Sequence, residues 1–148
     1  MAKSDLGKQL VALDFGGNSV TDKGIAFFLS GGDYALRRLS LRGNRLTVGG
    51  VMAVLDSSRL LGQLLSLDVS LNPLDGDELA QELAACPSAS RLRELRLQQT
   101  GMTSRGASAL AGSEYLSGLA VLSVTGNRIG EDGKDQLRAK FGPRLRSS

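Results

Sequence analysis

The feature that most constrains this chain is that it repeats itself. Five eleven-residue segments follow one pattern, L-x-x-L-x-L-x-x-N-x-L: LVALDFGGNSV from Leu10, LRRLSLRGNRL from Leu36, LLSLDVSLNPL from Leu64, LRELRLQQTGM from Leu92 and LAVLSVTGNRI from Leu119. The ninth position holds Asn18, Asn44, Asn72, Thr100 and Asn127, at successive spacings of 26, 28, 28 and 27 residues. A regular period of this length marks stacked supersecondary units, none of which can bury its apolar face alone.

Within each segment the fourth and sixth residues are apolar around a polar or small one, as in Leu39-Ser40-Leu41 and Leu95-Arg96-Leu97. That period of two predicts a short strand with one buried face. Six residues beyond the asparagine position, glycine returns at Gly24, Gly50, Gly106 and Gly133, with Glu78 breaking the rule in the third unit. Asp22, Thr47, Asp77, Thr103 and Asp132 then precede apolar residues at helical spacing that close on Leu29, Leu55, Leu83, Leu110 and Leu137. Capping residues ahead of such a stripe predict a helix in every unit.

These motifs resemble the leucine-rich repeat family, in particular the long subtype seen in ribonuclease inhibitor, over about residues 10–142. The resemblance implies an α/β solenoid: a right-handed arc, parallel strands on the concave face and helices on the convex face. One domain is expected over 1–148, with a short N-terminal segment at 1–9, units starting near 10, 36, 64, 92 and 119, and a basic tail at 142–148. Residues 1–8 look too short for a full cap on the first strand. At the other end Gly142-Pro143 stops the last helix, and Phe141 and Leu145 can lie over the final core layer.

Leu13, Phe15, Leu39, Leu41, Leu67, Val69, Leu95, Leu97, Leu122 and Val124 are the expected core, joined by Phe28, Phe141 and Phe27. Adjacent Phe27 and Phe28 cannot both point inward from one helix, so one of them is expected to seal the N-terminal end. Asn18, Asn44, Asn72, Thr100 and Asn127 form a structural ladder, because an amide carries both donor and acceptor for the backbone groups left unpaired where each strand turns. Thr100 reaches less far, which makes the fourth turn the weakest expected link.

Chemistry is sparse. The chain of 148 residues has no histidine, which removes the imidazole base and the Ser-His and Cys-His nucleophile pairs. GEDGKD at 130–135 lacks the spacing of a phosphate-binding loop, and Asp75, Asp77 and Glu78 lack the spacing of a calcium loop, so they read as solvated helix-start carboxylates. No cofactor, metal, small-molecule substrate or catalytic residue is expected, and the chain is not read as an enzyme. Net charge is +3, and five cations between Lys134 and Ser148 account for the basicity; they read as solvated surface, not as a nucleic-acid or membrane site. No apolar run resembles a signal or membrane segment, and a single cysteine, Cys86, suits a small buried hydrophobe in a reducing, cytoplasmic setting.

What remains is a surface. Arg38, Ser40, Arg42, Ser66, Asp68, Leu71, Glu94, Arg96 and Gln98 fall between and beside the buried strand leucines and are the candidate protein-binding positions on the concave face. Ala12, Asp14, Ser70, Ser123 and Thr125 share their columns. Charge pairing that merely keeps the sheet soluble is the competing reading. The expected function is a protein-protein interaction module or scaffold. The alternatives are a regulator of a GTPase-type partner, as the resemblance allows, and self-association through the edge of the first unit.

Overall fold

The computed structural model describes residues 10–57 and 63–147; the short segment 1–9 lies outside them, as does the Leu55 side chain. Strands β1 (Ala12–Asp14), β2 (Arg38–Ser40), β3 (Ser66–Asp68), β4 (Glu94–Arg96), β5 (Val121–Ser123) and β6 (Leu145–Arg146) form one sheet in sequence order. Every pairing is parallel, and Leu13, Leu39, Leu67, Leu95, Leu122 and Leu145 stand in one register row. Between strands run helices α1 (Asp22–Ser30), α2 (Val48–Asp56), α3 (Gly76–Ala84), α4 (Ser104–Ala111) and α5 (Glu131–Phe141). The fold is an α/β solenoid of strand-helix units, and each of the first five strands begins two residues after the leucine that opens its segment.

One continuous core joins the layers. Leu39, Leu67, Leu95 and Leu122 from the strands pack with Ile25, Val51, Leu79, Leu83, Leu110 and Leu137 from the helices, all at most 1% exposed. Leu13 and Phe15 are only partly buried, since they lie on the outermost unit. Cys86 is also only partly buried, packed against the core from its margin.

Three expectations need correction. Phe27 is not core; it is 81% exposed, while its neighbour Phe28 turns inward, stacks on Tyr34 at 4.4 Å and meets Phe15 edge-on at 5.2 Å. Successive helix residues point about 100° apart, so the helix could bury only one of the two. The basic tail is not merely solvated. Gly142–Arg144 form a 3-10 turn, and Leu145–Arg146 add the sixth strand, which the eleven-residue pattern could not reveal. Finally, Asp77 is not a solvated helix-start carboxylate, as its partners below show.

Candidate functional site

The junctions between units explain the repeated polar residues. Asn44 Oδ1 accepts from the N–H groups of Asn18 (3.1 Å) and Val20 (2.9 Å), while its Nδ2 donates to the Phe15 and Leu41 carbonyls, both at 3.0 Å. Asn72 and Asn127 repeat the arrangement: Asn72 accepts from Leu46 N–H, Asn127 accepts from Thr100 and Met102 N–H, and each donates to carbonyls of the preceding unit and its own. The amide is chosen because nothing shorter spans two units with donor and acceptor at once. Thr100 does not reach back to the preceding unit, although its hydroxyl also lies 3.3 Å from Asn127 Oδ1 of the next. Its hydroxyl donates to Leu97 O, and Leu74 N–H turns back to Asn72 O instead of crossing to the next unit. The space is filled by Gly76, where a β-carbon would lie 2.8 Å from Thr100 Oγ1 and 2.7 Å from Met102 N.

A second strap joins the helix entrances. Asp22 accepts from Thr47 N–H (2.9 Å) and Oγ1 (2.5 Å), and Asp77 accepts from Thr103 N–H (2.8 Å), Thr103 Oγ1 (2.6 Å) and Gly106 N–H (2.9 Å). Each carboxylate thus holds the N-cap threonine of the following unit's helix, and Asp77 also caps that helix through Gly106 N–H. The recurring glycine is needed here, because a side chain at Gly50 or Gly106 would overlap the carboxylate of Asp22 or Asp77. Burial pushes the Asp77 carboxyl upward, but the bonds from Thr103 and Gly106 and the nearby Arg105 outweigh it and hold it below its ordinary 3.8. Aspartate followed some 26 residues later by Thr-x-x-Gly was the signal available in the sequence.

The sheet face opposite the helices carries the candidate binding residues. Parallel register aligns Ala12, Arg38, Ser66, Glu94 and Val121 in one row and Asp14, Ser40, Asp68, Arg96 and Ser123 in the next. A groove of about 320 Å³ lies over the first units, lined by Ala12, Leu13, Asp14, Arg38, Leu39, Ser40, Ser66, Asp68 and Arg96. Of the predicted residues it gathers Arg38, Ser40, Ser66, Asp68 and Arg96, and it adds Ala12 and Asp14.

Glu94, Arg42 and Gln98 are already engaged, Glu94 with Arg96 of the groove and Arg42 with Gln98. Arg96 pairs with Glu94 on its own strand, Nε to Oε1 at 2.7 Å. Arg42 reaches past unit 3 to Gln98 Oε1 at 3.1 Å, and Gln98 Nε2 continues to Thr125 Oγ1 at 2.6 Å. Beneath that bridge Ser70, expected on the surface, has no exposure, and its hydroxyl accepts from Gln98 N–H at 3.0 Å. Ser123 is also buried. Both are small side chains over which longer neighbours close. Leu71 stands apart at the turn, 37% exposed and with φ of 57°, a left-handed conformation where glycine occupies Gly17, Gly43 and Gly126.

Asp14 and Asp68, which line the groove, each accept through Oδ1 from the backbone two residues on, at Gly16 (2.7 Å) and Ser70 (2.9 Å). The Arg38 backbone N–H donates to Val11 O at 3.1 Å, whereas its guanidinium makes no hydrogen bond or ion pair among the described residues and is exposed. No group of three metal-ligating side chains occurs among the described residues, and no described helix is long and apolar enough to cross a membrane.

A family model described as leucine rich repeat matches residues 9–29, 36–55 and 90–111. No curated protein matches the sequence. Three matched units, set in a solenoid whose other units share strand register and junction chemistry, support a leucine-rich repeat protein, a class whose members generally bind other proteins and typically are not enzymes.

Proposed function

We propose that the protein is a non-enzymatic interaction module of the ribonuclease-inhibitor-like subtype, to which its repeat length of 26–28 residues points, and that it binds another protein across the open face of its sheet. The observation that carries this reading is the groove over units 1 to 3, where the unpaired Arg38 guanidinium sits among the carboxylates of Asp14 and Asp68. Arginine that becomes buried against a partner is a frequent anchor of binding energy, and flanking carboxylates fix the orientation of a partner's own cations. Arg42, Gln98 and Thr125 hold a flat polar margin beside it, and Leu71 supplies apolar contact at the turn. A single cysteine suits a cytoplasmic scaffold of this kind.

The test is alanine at Arg38, Arg42, Asp68 and Arg96 together. The quadruple variant should lose the proteins that the native chain retains from cell extract on affinity capture, with an unchanged circular dichroism spectrum. Equal capture by a folded variant overturns the assignment of the binding face.

A further inference from the structure

Among the described residues, the outer face of unit 1 presents half of a unit junction without its complement. At the inner junctions the incoming asparagine accepts N–H groups from the preceding unit, and Thr47 and Thr103 each donate twice to a carboxylate in the first helical turn of that unit. Unit 1 carries the same receiving set in the same order: Asn18, Thr21 and Gly24. Asn18 Nδ2 is used on the Phe15 and Gly16 carbonyls, but among the described residues nothing donates to its Oδ1. Thr21 Oγ1 accepts from Gly24 N–H at 3.3 Å, as Thr103 Oγ1 does from Arg105 N–H, yet neither the Thr21 hydroxyl proton nor its N–H has a described acceptor. Where Gly50 and Gly106 are crowded by a carboxylate, among the described residues a β-carbon at Gly24 would meet Val20 and Thr21 of its own unit. Beside these groups lies an apolar groove of about 450 Å³ lined by Phe15, Val20, Gly24, Phe27, Phe28 and Tyr34.

We propose that this face docks a further leucine-rich unit carried by a partner protein, consisting of a strand, a turn and a helix with a carboxylate in its first turn. The contact continues the interface already made inside the chain. The partner's turn N–H groups meet Asn18 Oδ1, its carboxylate receives Thr21 N–H and Oγ–H, and its strand and helix side chains cover the aromatic groove. A second copy stacked head to tail does not meet these terms. Asp132, which occupies the position of Asp77 in unit 5, is separated from any following unit by β6, a spacing of about 4.8 Å. The proposal is independent of the open-face assignment.

The test keeps the full chain and tethers a probe to it: a second copy of residues 10–35, the unit bearing Asp22, whose Asn18 and Val20 N–H groups meet an asparagine inside the chain, joined ahead of Met1 by a flexible Gly-Ser linker that supplies a high effective concentration. Docking should slow amide exchange at Thr21 of the native chain, read by NMR, by about tenfold or more. Replacing the probe's aspartate (Asp22→Asn) or using Thr21→Val in the chain should remove most of that protection. Unchanged exchange at Thr21 in a chain that remains folded by circular dichroism overturns the proposal, as does protection indifferent to Asp22→Asn in the probe. A concentration-dependent dimer of the native chain that Phe27→Asp dissociates would also overturn it, by making a second copy the occupant.

Discussion

The two ends of the sheet are finished in different ways. At the C-terminal end Phe141 is 1% exposed, and the Arg144 guanidinium lies 5.5 Å from its ring and donates to the carbonyls of Phe141, Ser117, Leu119 and Lys140. One side chain thereby satisfies helix-end and loop carbonyls that would otherwise face solvent or stay unpaired. At the outer face of unit 1 Phe27 is 81% and Val11 53% exposed, and Asn18 and Thr21 keep unused hydrogen-bonding capacity among the described residues. The lesson is that a stacked unit is closed by polar bridging as much as by apolar cover. The same residue types are structural in the middle of the stack and available for recognition at its edge.

That contrast can be broken most sharply with paired substitutions at the ends. Phe141→Ala removes a fully buried ring and should cost about 3–5 kcal/mol, whereas Phe27→Ala should change stability by less than about 0.5 kcal/mol; urea unfolding measures both. A Phe27 effect as large as that of Phe141 would show that the outer face is already covered. Next in size, Asn72→Ala strands buried carbonyls and N–H groups on two units and should cost about 1–3 kcal/mol, with Asn18→Ala well below it.

Thr100→Asn sharpens the comparison within the ladder. The consensus amide should destabilise by about 1–3 kcal/mol, because Gly76 occupies the space it would need and overpacking displaces backbone. A gain in thermal midpoint would mean that the fourth turn is underfilled, as threonine's short reach alone suggests. The smallest expected effect concerns pH. Asp77 titrates below 3.8 in the folded chain, so its contribution to stability is present above that value and is lost as pH falls through it toward the lower folded value. Native stability should therefore drop more steeply below pH 3.8 than that of Asp77→Asn, a difference that denaturant titrations across the acid range would resolve.

Repeat position, strand register and most of the core were legible in the leucine spacing, because periods of two and of about 27 residues survive in a one-dimensional record. The ladder was legible as a column of amides, and the open-face rows followed from alternation. What alternation could not foresee was which members of those rows are already occupied. Arg42 bridges two strands to Gln98, Arg96 turns to Glu94, and Ser70 disappears beneath them, outcomes that depend on side-chain length across neighbouring units.

By itself, then, the sequence determined the unit, its repetition and its buried stripe, since these depend on local periodicity and on the need of each unit for a neighbour. Only the tertiary structure decided that Asp22 and Asp77 hold the threonine that starts the next helix, that Phe28 turns inward while Phe27 does not, and that the tail after Phe141 closes the stack with Arg144 and a sixth strand. Each of those outcomes joins residues of different units or competes for a single buried position. Such choices are made by distance and volume in three dimensions, which no spacing along the chain records.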